Sequence, residues 1–353
     1  MSRSLIFLLV LSVVVSVFIV VSSYSWFMVW VGLEMNTLSI LPILCYQFTP
    51  RSVESTIKYF LIQAFSAAII LNVVLIQVWL FSSWSVSQPL NGFSSLVLVL
   101  AVGLKLGLFP CHFWFPDVLQ GLGFIQGLVL STWQKIAPYV VLVYASDSIN
   151  EYFLVFLSVI SVLVGGWGGL NQVQVRKILA FSSISHIGWI CGVVVYSVSV
   201  SCVMLGIYLF LNSVVFLLSS ELGLLNLSSL SRMVYYNSGT GLLLMLVVLS
   251  LGGLPPLTGF INKFLALECL VLNNLIVPSC ILVMGSLLSL FFYLRIGFNS
   301  SLCLFPQHSL VLFSWRSSLM FSSSITVYSI ILSILLCISV FGLILFPLFW
   351  SMG

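Results

Sequence analysis

From Leu5 to Val21 the chain reads LIFLLVLSVVVSVFIVV, without one charged residue. A run of this kind is long enough for a helix to cross the hydrocarbon of a bilayer, which takes about 20 residues. Comparable runs recur along most of the 353 residues, of which 61% are hydrophobic and 5% charged, at a mean hydropathy of +1.27. Soluble domains carry roughly 25% charged residues. No water-soluble core of this length hides so much apolar surface, so the main solvent is lipid. The runs are unbroken and do not alternate polar with apolar, which argues against a β-barrel. The fold class is therefore all-α, a polytopic membrane protein. The first run exceeds the roughly 7–15 apolar residues of a signal peptide, and no small-residue cleavage site or transit peptide is evident. Co-translational insertion is expected.

The pattern predicts 11 transmembrane helices, at about 4–21, 24–46, 53–81, 93–111, 123–145, 151–170, 175–196, 200–222, 240–275, 277–297 and 325–348. Counting crossings assigns the loops to two sides. Arg3, Arg51, Arg176, Lys177, Arg232, Arg295 and Arg316 all fall on the side of the N-terminus, whereas Asp147 and Glu151 fall on the other. Lys58 lies about one turn inside the basic face. A wrong span count would scatter these charges. By the positive-inside rule the N-terminal side is the cytoplasm or the mitochondrial matrix.

Two spans are interrupted. The fourth ends in LGLFPCHFWFPD (106–117) and the ninth holds LGGLPPLTGF (251–260), both with helix-breaking prolines. Broken helices 4 and 9 fit two five-helix repeats. An odd number of crossings makes the second repeat enter from the opposite face, a recurring transporter design with the ion path at the breaks. A single membrane domain, 1–353, then divides into a first repeat at 1–146, an inverted second repeat at 147–298, and a loop with one C-terminal helix at 299–353. Small-xxx-small spacings at Gly103/Gly107, Gly123/Gly127, Gly165/Gly169 and Gly188/Gly192 predict close helix packing.

The eight cysteines form no C-x-x-C pair, and most sit in apolar runs, where cysteine acts as a small apolar residue. The three histidines offer no haem-like pair, and no glycine-rich phosphate loop follows a strand. The sequence shows no redox cofactor, nucleotide or metal site, and nothing that would bind nucleic acid.

What remains is a set of charges inside the membrane. Glu34 lies near the middle of span two; Lys105, Lys135 and Lys263 lie within spans four, five and nine. Each such charge costs about 2.5–3.5 kcal/mol on insertion scales. A static salt bridge accounts for Glu34 with one lysine and leaves two lysines without an acid at similar depth. A lysine whose proton affinity changes as an acid moves toward or away from it is a proton-relay element. A water-filled pore would instead show rings of like charge.

His186, in FSSISHIGW (181–189), reads as a relay member or as a hydrogen-bonded core histidine. Ser182, Ser183 and Ser185 bond helical carbonyls or hold water on either reading. His112 fits interfacial anchoring, with proton access as the alternative. Glu268, about one turn beyond Lys263, either pairs with it or reaches the far surface. Glu54 and Lys58 form a structural i,i+4 pair. Helical geometry aims Gln134 away from the face of Lys135.

Several stretches resemble the NADH dehydrogenase subunit 2 family, antiporter-like membrane subunits of respiratory complex I. They are WVGLEMNTLSILP (30–42), ESTIKYFLIQAFSA (54–67), LKLGLFPCHFWFPDVLQG (104–121), LSTWQKIAP (130–138), NQVQVRKILAFSSISHIGW (171–189) and LSLGGLPPLTGFINKF (249–264). Eleven spans rather than fourteen resembles the shortened form of animal mitochondria. The resemblance implies that Glu34 and Lys105 are the paired acid and base, Lys135 the central connecting lysine, and Lys263 the lysine of the second broken helix. It also implies partners among the other complex I membrane subunits, including antiporter-like siblings, and membrane lipids. No cofactor is implied in this chain; FMN, iron–sulfur clusters and ubiquinone are expected in other subunits. The mitochondrial inner membrane follows, with the N-terminus in the matrix and the C-terminus on the intermembrane side. Segment 298–324, rich in serine and phenylalanine with few charges, offers no motif to set against the family, which leaves the partner contacts of the last loop open. The alternatives are a self-contained cation/proton antiporter and an assembly subunit whose buried charges are inert.

Overall fold

The computed structural model describes residues 3–46, 48–230, 238–255, 257–301 and 333. Apart from residue 333, the expected final span at 325–348 lies outside the described residues, as do Arg232 and Arg316. Among the described residues there is no strand; the backbone is helical, with two isolated bridges at Ser25/Ser85 and Gln174/Asn226.

The helices, in chain order, are α1 (Arg3–Ser22), α2 (Trp26–Leu44), α3 (Pro50–Phe81), α4 (Gly92–Leu106), α5 (Trp114–Gly121), α6 (Phe124–Ser131), α7 (Trp133–Ala145), α8 (Glu151–Leu170), α9 (Val175–Val194), α10 (Val198–Glu221), α11 (Ser238–Gly252), α12 (Gly259–Leu272) and α13 (Ile276–Ser301). Among the described residues, eight helical segments are long and apolar enough to cross a membrane, α6 and α7 counting as one. The short apolar helices Gly92–Leu106 and Thr240–Gly252 stand where sequence places the broken spans. Each ends in a glycine of left-handed conformation: Gly107 at φ 77° after α4 and Gly253 at φ 74° after α11. A Cβ at that φ meets the following carbonyl, so glycine is what lets the helix stop there. After each break the chain resumes as a helix, α5 and α12.

A third interruption, at Thr132, has no proline or glycine to announce it. The hydroxyls of Ser131 and Thr132 both donate to the carbonyl of Leu128, at 3.2 and 2.7 Å. Such local bonds compete with the helical ladder. The N–H of Lys135 then bonds Thr132 O at 3.2 Å, which releases the carbonyl of Ser131 for another partner. The fifth span is thus two helices, α6 and α7, where the sequence predicts one.

Helix α8 packs on α9 and α13. A Cβ on Gly165 would lie 2.9 Å from the backbone of Phe181 and Ser185, and one on Gly188 would lie 3.0 Å from Ser158 O. These spacings bring backbones together, as predicted. Gly103 does not: the nearest atoms to a Cβ there belong to Leu108, at 3.8 Å, in its own loop. Its carbonyl instead accepts from Leu108 N at 2.8 Å and closes α4. The outward faces are apolar, with Phe7, Phe18, Phe65 and Trp167 exposed, as suits a surface bathed in hydrocarbon.

Candidate functional site

Lys105 is in the last turn of α4, beside the break, and is 5% exposed. Its Nζ donates to the carbonyl of Gln63 on α3 at 3.4 Å. The negative end of the short helix lies next to this cation, which favours a positive charge there. Trp114 Nε1 donates to Leu104 O at 3.0 Å and ties α5 back across the break.

Glu34 is half-buried in the middle of α2. Its carboxylate accepts from Thr37 Oγ1 at 3.3 Å. Among the described residues the one ion pair within 4.0 Å is Lys58–Glu54, at 2.6 Å. Glu34 acts on Lys105 electrostatically, without direct contact.

Lys135, in the first turn of α7, is 2% exposed and has no acid beside it. Its Nζ lies 4.6 Å from the ring centre of Phe115 and donates to Tyr208 Oη at 3.4 Å. Tyr208, on α10, donates in turn to the carbonyl that the Thr132 break frees, Ser131 O, at 3.1 Å. Asn212 Nδ2 braces both, at 2.9 Å from Ser131 Oγ and 3.4 Å from Tyr208 Oη.

On the other side of Tyr208 stands His186 of α9, ring centroids 5.5 Å apart. His186 Nε2 is hydrogen-bonded to Tyr293 Oη of α13 at 3.3 Å. Both Lys135 and Lys263 act on His186 electrostatically. Ser182, Ser183 and Ser185 donate to carbonyls three residues back, at 2.7–2.8 Å. Lys263 is on α12 and its Nζ donates to Gly252 O, the last residue of α11, at 2.5 Å. In both broken spans, then, a lysine sits at the C-terminal end of the first half-helix.

Glu268 is exposed and lines a groove of about 260 Å³ with Tyr196, Ser197 and Asn273, rather than pairing with Lys263. His112 lies in the loop after α4, 3% exposed, between the rings of Phe109 and Phe113, with Nδ1 unbonded.

Sequence reasoning missed three residues. Gln134 does not turn away: it shares a cavity of about 10 Å³ with Lys105 and Lys135, its amide bonded reciprocally to Asn36 at 3.0 Å. Tyr59 Oη donates to Gln134 Oε1 at 3.1 Å. Helices surround the start of α7, so adjacent positions on it both face protein. Tyr208 was missed as well, because in α10 it reads as one apolar-face aromatic beside Phe210 and Phe216.

Residues 23–289 match the family described as NADH:quinone oxidoreductase/Mrp antiporter, transmembrane, and residues 290–350 match the NADH dehydrogenase subunit 2 C-terminus, so segment 298–324, which shows no motif to the eye, falls within the family after all. The NADH-ubiquinone oxidoreductase chain 2 of Pisaster ochraceus is 65% identical over 99% of both chains. That of Squalus acanthias is 42% identical over 88% of this chain and 89% of its own. A chain of respiratory complex I from Thermus thermophilus superposes with a TM-score of 0.79 at 25% identity, over 98% of this chain and 80% of that one. A chain of the Mrp complex of Dietzia shares the fold alone, with a TM-score of 0.73 at 18% identity over 82% of this chain and 59% of that one. The chain belongs to the NADH:quinone oxidoreductase/Mrp antiporter family, and within it to the NADH dehydrogenase subunit 2 proteins.

Proposed function

We propose that this chain is a membrane-arm subunit of a proton-translocating NADH:ubiquinone reductase, and that Glu34, Lys105, Lys135, His186 and Lys263 form its proton relay. The observation that carries the reading is Lys135. It is a fully enclosed cation with no acid beside it, joined through Tyr208 toward His186 and Lys263 and through a polar cavity toward Lys105. A charge kept in such a place at a cost of about 2.5–3.5 kcal/mol has a use beyond holding helices together.

Each member has a distinct part. Glu34 sets the proton affinity of Lys105 from a distance, so a small movement of α2 retunes it. Lys135 carries charge in the middle of the membrane, held by the hydroxyl of Tyr208, whose ring lies beside His186. The carbonyls of Gln63 and Gly252 hold Lys105 and Lys263 at the two breaks. The electrons belong to FMN, iron–sulfur clusters and ubiquinone in other subunits, and this chain receives their work as movement or field from its neighbours. His112 and Glu268 are the positions for access from either face. The two inverted five-helix units and a mitochondrial inner-membrane setting with the N-terminus in the matrix complete the proposal. The matched lysines at the two breaks support the repeat, and Arg176 and Arg295, bonded to Leu122 O and Leu170 O, support the sidedness.

The test is the proton-to-electron ratio of the assembled complex carrying Lys105→Met. A lowered ratio with intact NADH oxidation supports the relay, and an unchanged ratio rejects it. Exchange of cations for protons by the purified chain alone in liposomes would favour a self-contained antiporter instead.

A further inference from the structure

A proton passing between Lys105 and Lys135 has to cross the cavity they share, whose other polar walls are Asn36, Thr37, Tyr59, Gln63 and Gln134. The way across is blocked by chemistry as well as by space. Asn36 Nδ2 donates to Gln134 Oε1 and Gln134 Nε2 donates to Asn36 Oδ1, both at 3.0 Å, so each amide spends one donor and its acceptor on the other. Tyr59 adds its own proton to Gln134 Oε1 at 3.1 Å. An amide neither gains nor loses a proton near neutral pH. A wire needs members that accept at one end and donate at the other, and Asn36, Gln134 and Tyr59 are committed to one another. Thr37 is no substitute, since its hydroxyl serves Glu34. The free volume of about 10 Å³ holds at most a single water, which needs about 10–15 Å³.

The members of this lock stand on different helices. Asn36 is on α2 with Glu34 two positions before it, Tyr59 is on α3, and Gln134 is on α7 directly before Lys135. We propose that the Asn36–Gln134 amide pair, held by Tyr59, is a proton-tight plug between Lys105 and Lys135 that opens when α2 and α7 part and water enters. The same parting moves Glu34 relative to Lys105, so the acid that tunes the lysine and the plug that guards it change together. This inference rests on the relay reading, and assigns Asn36, Tyr59 and Gln134 as positioning residues that hold the path closed.

The experiment measures passive proton leak through the assembled complex in liposomes, with NADH withheld and a pH gradient imposed. Gln134→Met keeps the side-chain length and removes the amide. The expected result is a leak raised roughly three- to tenfold, the weight of one or two lost hydrogen bonds. The leak should vanish in Gln134→Met with Lys135→Ala. It should return to the wild-type level in the swap Asn36→Gln with Gln134→Asn, which keeps the reciprocal amides. A wild-type leak in Gln134→Met, a leak that persists without Lys135, or a swap as leaky as Gln134→Met overturns the proposal. If Gln134→Met does not assemble, Asn36→Leu opens the same pair from the other side and is judged by the same outcomes. Lys135→Ala alone separates the two readings. Normal pumping in that variant removes the relay. Lost pumping beside a tight Gln134→Met removes only the plug.

Discussion

Lys263 reaches back across the second broken helix to the carbonyl of Gly252, 2.5 Å away. Gly252 ends α11, so the ammonium closes the negative end of a half-helix that has no further turn to satisfy its last carbonyls. Lys105 has the corresponding place at the end of α4. The two breaks are therefore charged joints as well as bends.

A neutral side chain at the joint removes the charge and leaves the carbonyl without its donor. Lys263→Met is expected to lower the proton-to-electron ratio and to weaken the α11–α12 junction by about 1–3 kcal/mol, the cost of an unsatisfied buried acceptor. Proton uptake by the reconstituted complex and its thermal inactivation check the two effects separately.

Tyr208 holds Lys135 by its hydroxyl, and its ring packs beside His186 regardless of that group. Tyr208→Phe keeps the ring and loses the bonds to Lys135, Ser131 and Asn212. At about 0.5–1.5 kcal/mol for a hydrogen bond, pumping should slow roughly two- to tenfold. Tyr139→Phe is the control: it loses bonds to Ser201 and Cys202, neither of which bonds a lysine, and is expected to pump normally.

His186, like Lys135, has a tyrosine hydroxyl as its hydrogen-bond partner, Tyr293. If the imidazole passes protons, Tyr293→Phe leaves it in place but less well aimed, with a smaller loss of pumping than His186→Leu. Equal pumping in both variants and the wild type would make His186 a core residue.

Gly259 opens α12 against the end of α11, where a Cβ would run into the carbonyl of Ser250, whereas a Cβ on Gly206 meets nothing within 4 Å. Gly259→Ala is expected to reduce the assembled complex strongly, because overpacking costs about 1–3 kcal/mol and sometimes more. Gly206→Ala should assemble as the wild type does. Native gels of solubilised membranes distinguish them.

What could be read ahead of the structure follows from the strength of each signal. Apolar runs and proline–glycine clusters are long-range and cumulative, so the described crossings and both proline-marked breaks stood out, and so did four rare charges in apolar surroundings. The break at Thr132 rests on two hydroxyls competing for one carbonyl, a local choice that the letters S and T leave open. Gln134 was assigned away from the site by helical geometry. That geometry says where a residue points but not what surrounds it, and here α2, α3 and α7 close around it. The Glu34–Lys105 pairing implied by resemblance is a coupling at a distance rather than an ion pair, since Lys105 is held by Gln63.

The most direct test of the relay is the number of protons moved per NADH oxidised by reconstituted complex carrying Lys135→Ala. The account predicts a complex that assembles, oxidises NADH and moves fewer protons per electron pair than the wild type. An assembled complex with the wild-type ratio would contradict it.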